Sequence, residues 1–405
     1  MKLDRFAETA QVRFDNDLES FTLLISYYLN NIDRVKTLGK KVVAKGPLSP
    51  VEVIYAAEAL AFDITTHCTL KAIFSGNSNI TRHAVNTGVS SEINPWNLSM
   101  LGSAIGDNED NIPIDLLSTA YNGIDEQLIK GFQLLAHVNS TPLHFWEVPM
   151  YDIESEDWAL DYLKKELEQY FEWMEDHIGT RVTKESLQRA VHHGNLLRND
   201  MVKLNAYLAT PKVPIAALEY YLVQMMMGDY AQDPAELHNL FVQLFKEIDL
   251  RVDHGKSISG ISDSPVRIYI IGNETQELYM YNLIENYGGV VVGCNFRLPL
   301  YYSLIDEKAL SIESLAHWIW HMPTNLNIQE RIKFELEHVK KQNADAVIIS
   351  SVVGCRHSPG IERLIRDSIK KELCLPVIEL ETTALGDNLE RLDYQIRGLL
   401  QTMNY

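Results

Sequence analysis

The sequence has few cysteines and no cysteine-rich motif. Its 405 residues include only Cys68, Cys294, Cys355 and Cys374, and no two of them have a CxxC spacing. Such scattered thiols suit a reducing compartment and do not indicate a disulfide framework. A metal site that used them would have to be assembled from distant segments.

Long apolar runs and an excess of basic residues are also missing. The opening MKLDRFAETAQVRFDNDLESF lacks the apolar core of a signal peptide, and no later segment approaches the roughly 18 apolar residues of a membrane span. The net charge of −19 disfavours binding to nucleic acid or anionic membranes. We therefore expect a cytoplasmic protein that has neither nucleic acid nor membrane as a partner.

No GxGxxG, Walker or HExxH pattern is present, so common nucleotide-binding and zinc-protease functions have little support. What the sequence does contain is an alternation of short apolar strands with helical patterns in two regions. This alternation predicts an α/β protein with two doubly wound parallel-sheet domains. The expected parts are a helical lead-in at 1–40, a first α/β domain at 41–150, a helical segment at 151–262, and a second α/β domain with a closing C-terminal helix at 263–405.

Two strand-to-helix turns have recognisable helix starts. Ser49-Pro50-Val51-Glu52 predicts a capping box with proline in the first helical position. Ser358 and Pro359 predict a helix start just after the strand ADAVIISSVVG and Cys355. In an open parallel sheet, ligands bind where strands end and helices begin.

Three cysteines fall at such predicted strand ends. Cys294 and Cys355 share the context Val-Gly-Cys, which suggests that they lie near each other, and Cys68 follows a first-domain strand. A buried, inert thiol is the commoner outcome for Cys68 and Cys294. The residues Arg356 and His357 and the following helix start favour a thiolate ligand or nucleophile at Cys355.

Other conspicuous residues are predicted to be structural. Cys374, in KKELCLPVIE, is expected in the core. The pair His192-His193, the run Met225-Met226-Met227 and the segment HWIWH lie in helical patterns, which favours packing or a solvated face over a site.

Three segments form a pattern by their order and spacing: KKVVAKGPLSPVEVIYAAEAL, the helices that follow VPMYDIESEDW, and ADAVIISSVVGCRHSPGIERL with its C-terminal continuation. In this pattern nearly the whole chain resembles the 2-hydroxyacyl-CoA dehydratase and benzoyl-CoA reductase subunits, including the D-component of 2-hydroxyglutaryl-CoA dehydratase. The resemblance implies two flavodoxin-like domains, a heterodimer with a homologous subunit, and an iron–sulfur cluster held by three cysteines.

The resemblance further implies an anaerobic lyase or oxidoreductase. An ATP-hydrolysing activator protein would supply low-potential electrons, and an acyl-CoA substrate would react through ketyl-radical chemistry. Substrate-contact candidates are Ser49, Asn122, Arg356 and His357.

The chain departs from the family pattern at its cluster cysteines. Cys355 matches the third, but the first should lie near Pro95 and the second near Asn122, and neither segment contains cysteine. Glu58 also replaces the glycine of the family's Ala-Ala-Gly opening.

Three readings of this departure remain open. The subunit is a cluster-poor scaffold or substrate-binding half of a complex, it holds a relocated cluster on Cys68, Cys294 and Cys355, or it has a non-redox role such as a structural or binding subunit. The sequence does not identify the acyl group or distinguish dehydration from reduction.

Overall fold

A computed structural model describes most of the chain. The described residues are 7–8, 10–15, 17–74, 78–105, 113–121, 126–272, 277–355, 359–382 and 389–403. The predicted positions Asn122, Arg356, His357 and Ser358 lie outside them.

Helices account for most of the described structure. In chain order they are α1 (Glu19–Leu29), α2 (Asn31–Thr37), α3 (Val51–Ala56), α4 (Ile64–Phe74), α5 (Ser78–Asn86), α6 (Pro95–Ala104), α7 (Glu126–Asn139), α8 (Glu156–Ile178), α9 (Lys184–Leu208), α10 (Ala217–Met225), α11 (Pro234–Asp253), α12 (Tyr279–Asn286), α13 (Ile312–Trp320), α14 (Ile328–Lys341), α15 (Pro359–Glu372) and α16 (Leu389–Met403).

The strands form two four-stranded sheets in which every pairing is parallel. The first contains β1 (Val42–Lys45), β2 (Leu60–Asp63), β3 (Leu116–Tyr121) and β4 (Leu143–Glu147), and the second contains β5 (Val266–Gly272), β6 (Gly289–Cys294), β7 (Ala346–Val352) and β8 (Val377–Thr382). The spatial orders β2-β1-β3-β4 and β6-β5-β7-β8 repeat one topology. The predicted α/β doubly wound fold is confirmed, whereas the exact domain boundaries stay a prediction.

The strand register aligns the ends of the first sheet. Lys45, the last residue of β1, pairs with Asp63 at the end of β2 and with Ser118 on β3. In a parallel sheet the strands' carboxyl ends share one edge, so the three polar side chains are neighbours there. All three are buried.

The middle helices bury apolar side chains at helical spacing. On α8, Leu163, Leu167, Tyr170 and Met174 are fully buried, as i, i+4, i+7 spacing requires for one core-facing stripe. The run Met225-Met226-Met227 is also buried, in agreement with its predicted packing role. None of the helices that the structure describes has the length and apolarity needed to cross a membrane.

The prediction that Cys374 lies in the core is wrong. Cys374 is exposed and has φ +57, because it belongs to the turn between α15 and β8 rather than to either element. The apolar residues before and after Cys374 pack on either side of the turn, and the thiol between them is left in solvent.

Candidate functional site

The carboxyl ends of the two sheets face each other through a buried ion pair. Arg297, three residues beyond β6, places its guanidinium 3.0 Å from the carboxylate of Asp63 at the end of β2, and the same group donates to the hydroxyl of Thr66. All three residues are buried. The contact joins the rim of the second sheet to that of the first.

Two cations act on Asp63. Burial disfavours its charged form, but Arg297 and Lys45 outweigh burial and hold the pKa of the Asp63 carboxyl well below its usual range. Lys45 donates to the carbonyl of Gly228 at 2.9 Å, and burial lowers the pKa of its ammonium despite the attraction of Asp63. A Cβ at position 228 would lie 2.1 Å from the Asp63 carboxylate, so only glycine fits there.

The carboxylate of Asp229 is the central acceptor in a second part of the network. It accepts the backbone N–H of Asp63 at 2.9 Å and lies 2.8 Å from Nε2 of His67, whose ring stacks on Phe62. Asp229 also accepts the N–H of Ala231 at 3.1 Å.

The segment that follows Asp229 has unusual backbone geometry. Tyr230, Ala231 and Gln232 all have positive φ, between +50° and +60°. A non-glycine residue in this region costs roughly 1–2 kcal/mol. Such conformations persist only where surrounding contacts fix them, and they cluster at functional sites.

Ser49 lines a small cavity beside this network. The cavity measures about 10 Å³, and its walls include Ser49, Glu52, Arg198 and Trp318. Glu52 pairs with Arg198 at 2.5 Å, and the Arg198 guanidinium lies 4.5 Å from the Trp318 ring centroid. A volume near 10 Å³ holds about one water molecule.

The predicted capping box at Ser49 is wrong. Pro50, not Ser49, is the N-cap of α3, and no side chain caps the helix. The Ser49 hydroxyl instead lies 3.0 Å from the hydroxyl of Ser118 on β3, because the register brings β1 and β3 side by side. This placement turns the hydroxyl into the site rather than toward the helix.

The turn that carries Cys355 packs against the segment before α6. Gly354 has φ +82, and a Cβ there would lie 3.0 Å from the Asn94 nitrogen. Gln127, in the first turn of α7, donates to the Gly354 carbonyl at 2.9 Å and accepts the Asn94 N–H at 3.0 Å. Thus the start of α6, the start of α7 and the turn after β7 meet at one place.

Two of these segments, beside Pro95 and at Cys355, are among those in which the family resemblance implies cluster cysteines, and the remaining position, near Asn122, lies outside the described residues. Cys355 is buried, and the side chains whose hydrogen bonds hold this place together are the amides of Asn94 and Gln127. The side-chain amide of Asn97 is buried with no hydrogen-bond partner among the described residues. Because iron–sulfur clusters take thiolate ligands, one thiol among neutral amides does not fit a three-cysteine cluster.

The other two predicted metal ligands lie elsewhere. Cys68, on α4, belongs to a different hydrophobic cluster from Cys294, and burial raises the pKa of its thiol to about 12. Cys294 is level with Ile348, because each pairs with Ile270 of β5. It is therefore roughly 10 Å from β7 and well before the Cys355 turn.

The charged residues of the network were not among the site residues predicted from sequence. Lys45, Asp63 and Arg297 could have been noticed, since each lies at or just beyond the end of an apolar strand. Arg198 and Asp229 lie in the helical segment, and no local pattern indicates that they reach the sheet edges.

A comparison with protein families supplies the relationship. The profile described as 2-hydroxyglutaryl-CoA dehydratase, D-component, matches residues 48–403. The chain belongs to this family. A search of curated proteins gives no match. The expected family is therefore confirmed, and with it the coarse role of a dehydratase-type subunit.

Proposed function

We propose that the chain is the cluster-poor half of an acyl-CoA dehydratase- or reductase-type complex. In that complex a homologous partner subunit holds the iron–sulfur cluster, and an ATP-hydrolysing activator supplies low-potential electrons to it. Ketyl-radical chemistry on the acyl-CoA then depends on the partner's cofactor. This chain acts as the scaffold or as the substrate-binding half.

One observation carries the proposal. The segments of Asn94, Gln127 and Cys355 meet beside positions where the family resemblance implies cluster cysteines, yet among the described residues they bring one thiol and several amides. Family membership supports a dehydratase-type assembly. The donor set supports a subunit that leaves the redox centre to its partner.

Substrate contact is assigned to Ser49 and to Asn122, Arg356 and His357, which lie outside the described residues. A cavity of about 10 Å³ at Ser49 cannot admit an acyl group as it stands. Binding therefore requires the walls, which include Trp318 and Met322, to move apart. The same small volume favours a second candidate, a non-catalytic structural subunit.

Iron content tests the main proposal. The chain purified anaerobically alone should contain little iron or sulfide, whereas the co-expressed complex should contain both. Cys355→Ala should leave the complex's iron unchanged, and Cys374→Ala, which alters an exposed thiol, is the matched control.

Two results would contradict this assignment. Stoichiometric iron in the isolated chain that disappears with Cys355→Ala would place a centre in this subunit. Loss of that iron in Cys68→Ala and Cys294→Ala as well would support the relocated cluster.

Acyl-CoA binding separates the substrate-binding role from the structural one. In the complex, Ser49→Ala should raise KM several-fold if its hydroxyl contacts the substrate. An unchanged KM and kcat would favour the structural subunit.

A further inference from the structure

The HWIWH segment has two chemically different faces. Trp318 and Trp320 are buried, whereas His317 is exposed and His321 half-buried. The two histidines lie one helical turn apart, at the end of α13, and their ring centroids are 3.9 Å apart. Packing explains the tryptophans but not this histidine pair.

A carboxylate from another helix completes the group. Glu156, the first residue of α8, His317 and His321 each offer one ligand atom, and these atoms all lie within 4.8 Å of one another. No other set of three His, Cys, Asp or Glu side chains within the described ranges meets this condition. Two imidazoles and one carboxylate are ligands typical of zinc and similar divalent ions.

The backbone already orients one imidazole. Nδ1 of His321 lies 2.8 Å from the His317 carbonyl oxygen, which can only accept a hydrogen bond. Nδ1 therefore carries the proton, and the lone pair of the neutral ring is on Nε2. Metal-binding histidines are commonly fixed by such a hydrogen bond from the other ring nitrogen.

The charge and exposure of the group also suit a cation. Glu156 brings a carboxylate within reach of both imidazoles. Exposure of His317 leaves room for water as a further ligand.

We propose that Glu156, His317 and His321 bind one divalent transition-metal ion of the zinc and cobalt class. The ion would join α8, which follows the last strand of the first sheet, to α13, whose inner face carries Trp318 against Arg198. An exposed ion pair, Lys164 with Glu313, already links these helices. The site is separate from the Cys355 turn and holds whether or not the proposed function does.

Metal titration of the full-length chain tests the site. Because the exposed thiol of Cys374 could bind the same ions, every protein in the test carries Cys374→Ser and no affinity tag. Zn²⁺ affinity is measured by calorimetry, and Co²⁺ absorption reports the coordination geometry. The parent should bind one ion per chain, and Zn²⁺ should raise its melting temperature.

Three variants and one control decide the outcome. Glu156→Gln, His317→Ala and His321→Ala should each weaken Zn²⁺ binding by at least about tenfold. His338→Ala is the matched control, since Nδ1 of His338 makes the same contact to a carbonyl one turn earlier, but His338 belongs to no three-ligand group among the described residues.

The proposal is overturned if His317→Ala binds Co²⁺ with the parent's affinity and spectrum, or if His338→Ala loses as much affinity. Because His317 is exposed, its removal should leave the circular dichroism spectrum intact, so a folding defect at His321 would not obscure the result.

Discussion

The two sheets have one topology but very different carboxyl edges. In the first sheet, β1 and β2 end on Lys45 and Asp63, both buried and charged. In the second sheet, β5 ends on Gly272 and β6 is followed by Asn295, whose amide accepts the Gly272 N–H at 2.9 Å and donates to Glu335 at 2.7 Å. The first edge is held by charges on the strand ends themselves, whereas the ends of β5 and β6 are bridged by an amide.

The difference shows where each edge obtains its partners. The Asn295 side chain finds both of its partners, Gly272 and Glu335, within the second sheet and its helices. Asp63 needs Arg297 from the opposite sheet and lies beside Lys45, which donates to Gly228 in the helical segment. The charged edge therefore couples three parts of the chain, and we expect it to control their relative placement.

Removing the charge of Asp63 should have the largest effect. Asp63→Asn leaves Arg297 and Lys45 buried without their shared countercharge, and breaking a buried ion pair in this way costs about 3–5 kcal/mol. Urea unfolding followed by circular dichroism measures the loss. A loss below about 1 kcal/mol, the range of exposed ion pairs, would contradict the importance of this edge.

The equivalent change at the other edge is the matched comparison. Asn295→Ala removes two hydrogen bonds, which costs about 1–3 kcal/mol, while the Glu335 oxygen keeps its ion pair with Arg331 at 2.6 Å. If Asn295→Ala destabilised the protein as much as Asp63→Asn, the two edges would be energetically alike despite their different chemistry.

A carboxyl group on which burial outweighs the attraction of its nearby cation, Arg13, should behave in the opposite way to Asp63. Burial raises the pKa of Glu285, on α12, to about 7, although its carboxylate accepts the Ala217 N–H at 2.7 Å. Between pH 4.5 and about 7 the folded state thus binds more protons than the unfolded state. The stability from this proton is fully present below pH 4.5 and is lost as pH rises through 7.

Glu285→Gln keeps an oxygen acceptor and removes the titration. We expect stability to fall less between pH 5 and 8 than in the parent, by about 1.4 kcal/mol for each unit of pKa shift removed. Unfolding free energies at several pH values provide the measurement, and the exposed Glu337→Gln is the control. A parent and variant with parallel pH curves would contradict the raised pKa.

Sequence patterns were sufficient for the fold because they act over short distances. The strands could be predicted from short apolar runs. The buried side chains of α8 could be predicted from their helical spacing in the sequence. The site depended on long-range contacts instead: Asp229 meets Asp63 across 166 positions, and Glu156 meets His317 across two helices. The misplaced cap at Ser49 has the same origin, since its partner Ser118 is brought close only by strand pairing.

The smallest expected effect concerns the turn that precedes β2 in the first sheet and the corresponding turn that precedes β6 in the second. Gly288, just after α12, has φ +86, whereas Glu58, just after α3, has φ +61 at the corresponding turn. Glycine adopts this left-handed conformation without strain, and a glutamate there costs roughly 1–2 kcal/mol, partly offset by the entropy that glycine gains in the unfolded chain.

Because Glu58 is exposed, Glu58→Gly should stabilise the protein by about 0.5–1 kcal/mol in urea unfolding. Gly288→Ala should destabilise it by a similar or larger amount, and the double variant should show additive effects because the turns belong to different sheets. Destabilisation by Glu58→Gly would mean that the Glu58 side chain, rather than its backbone, matters at this turn.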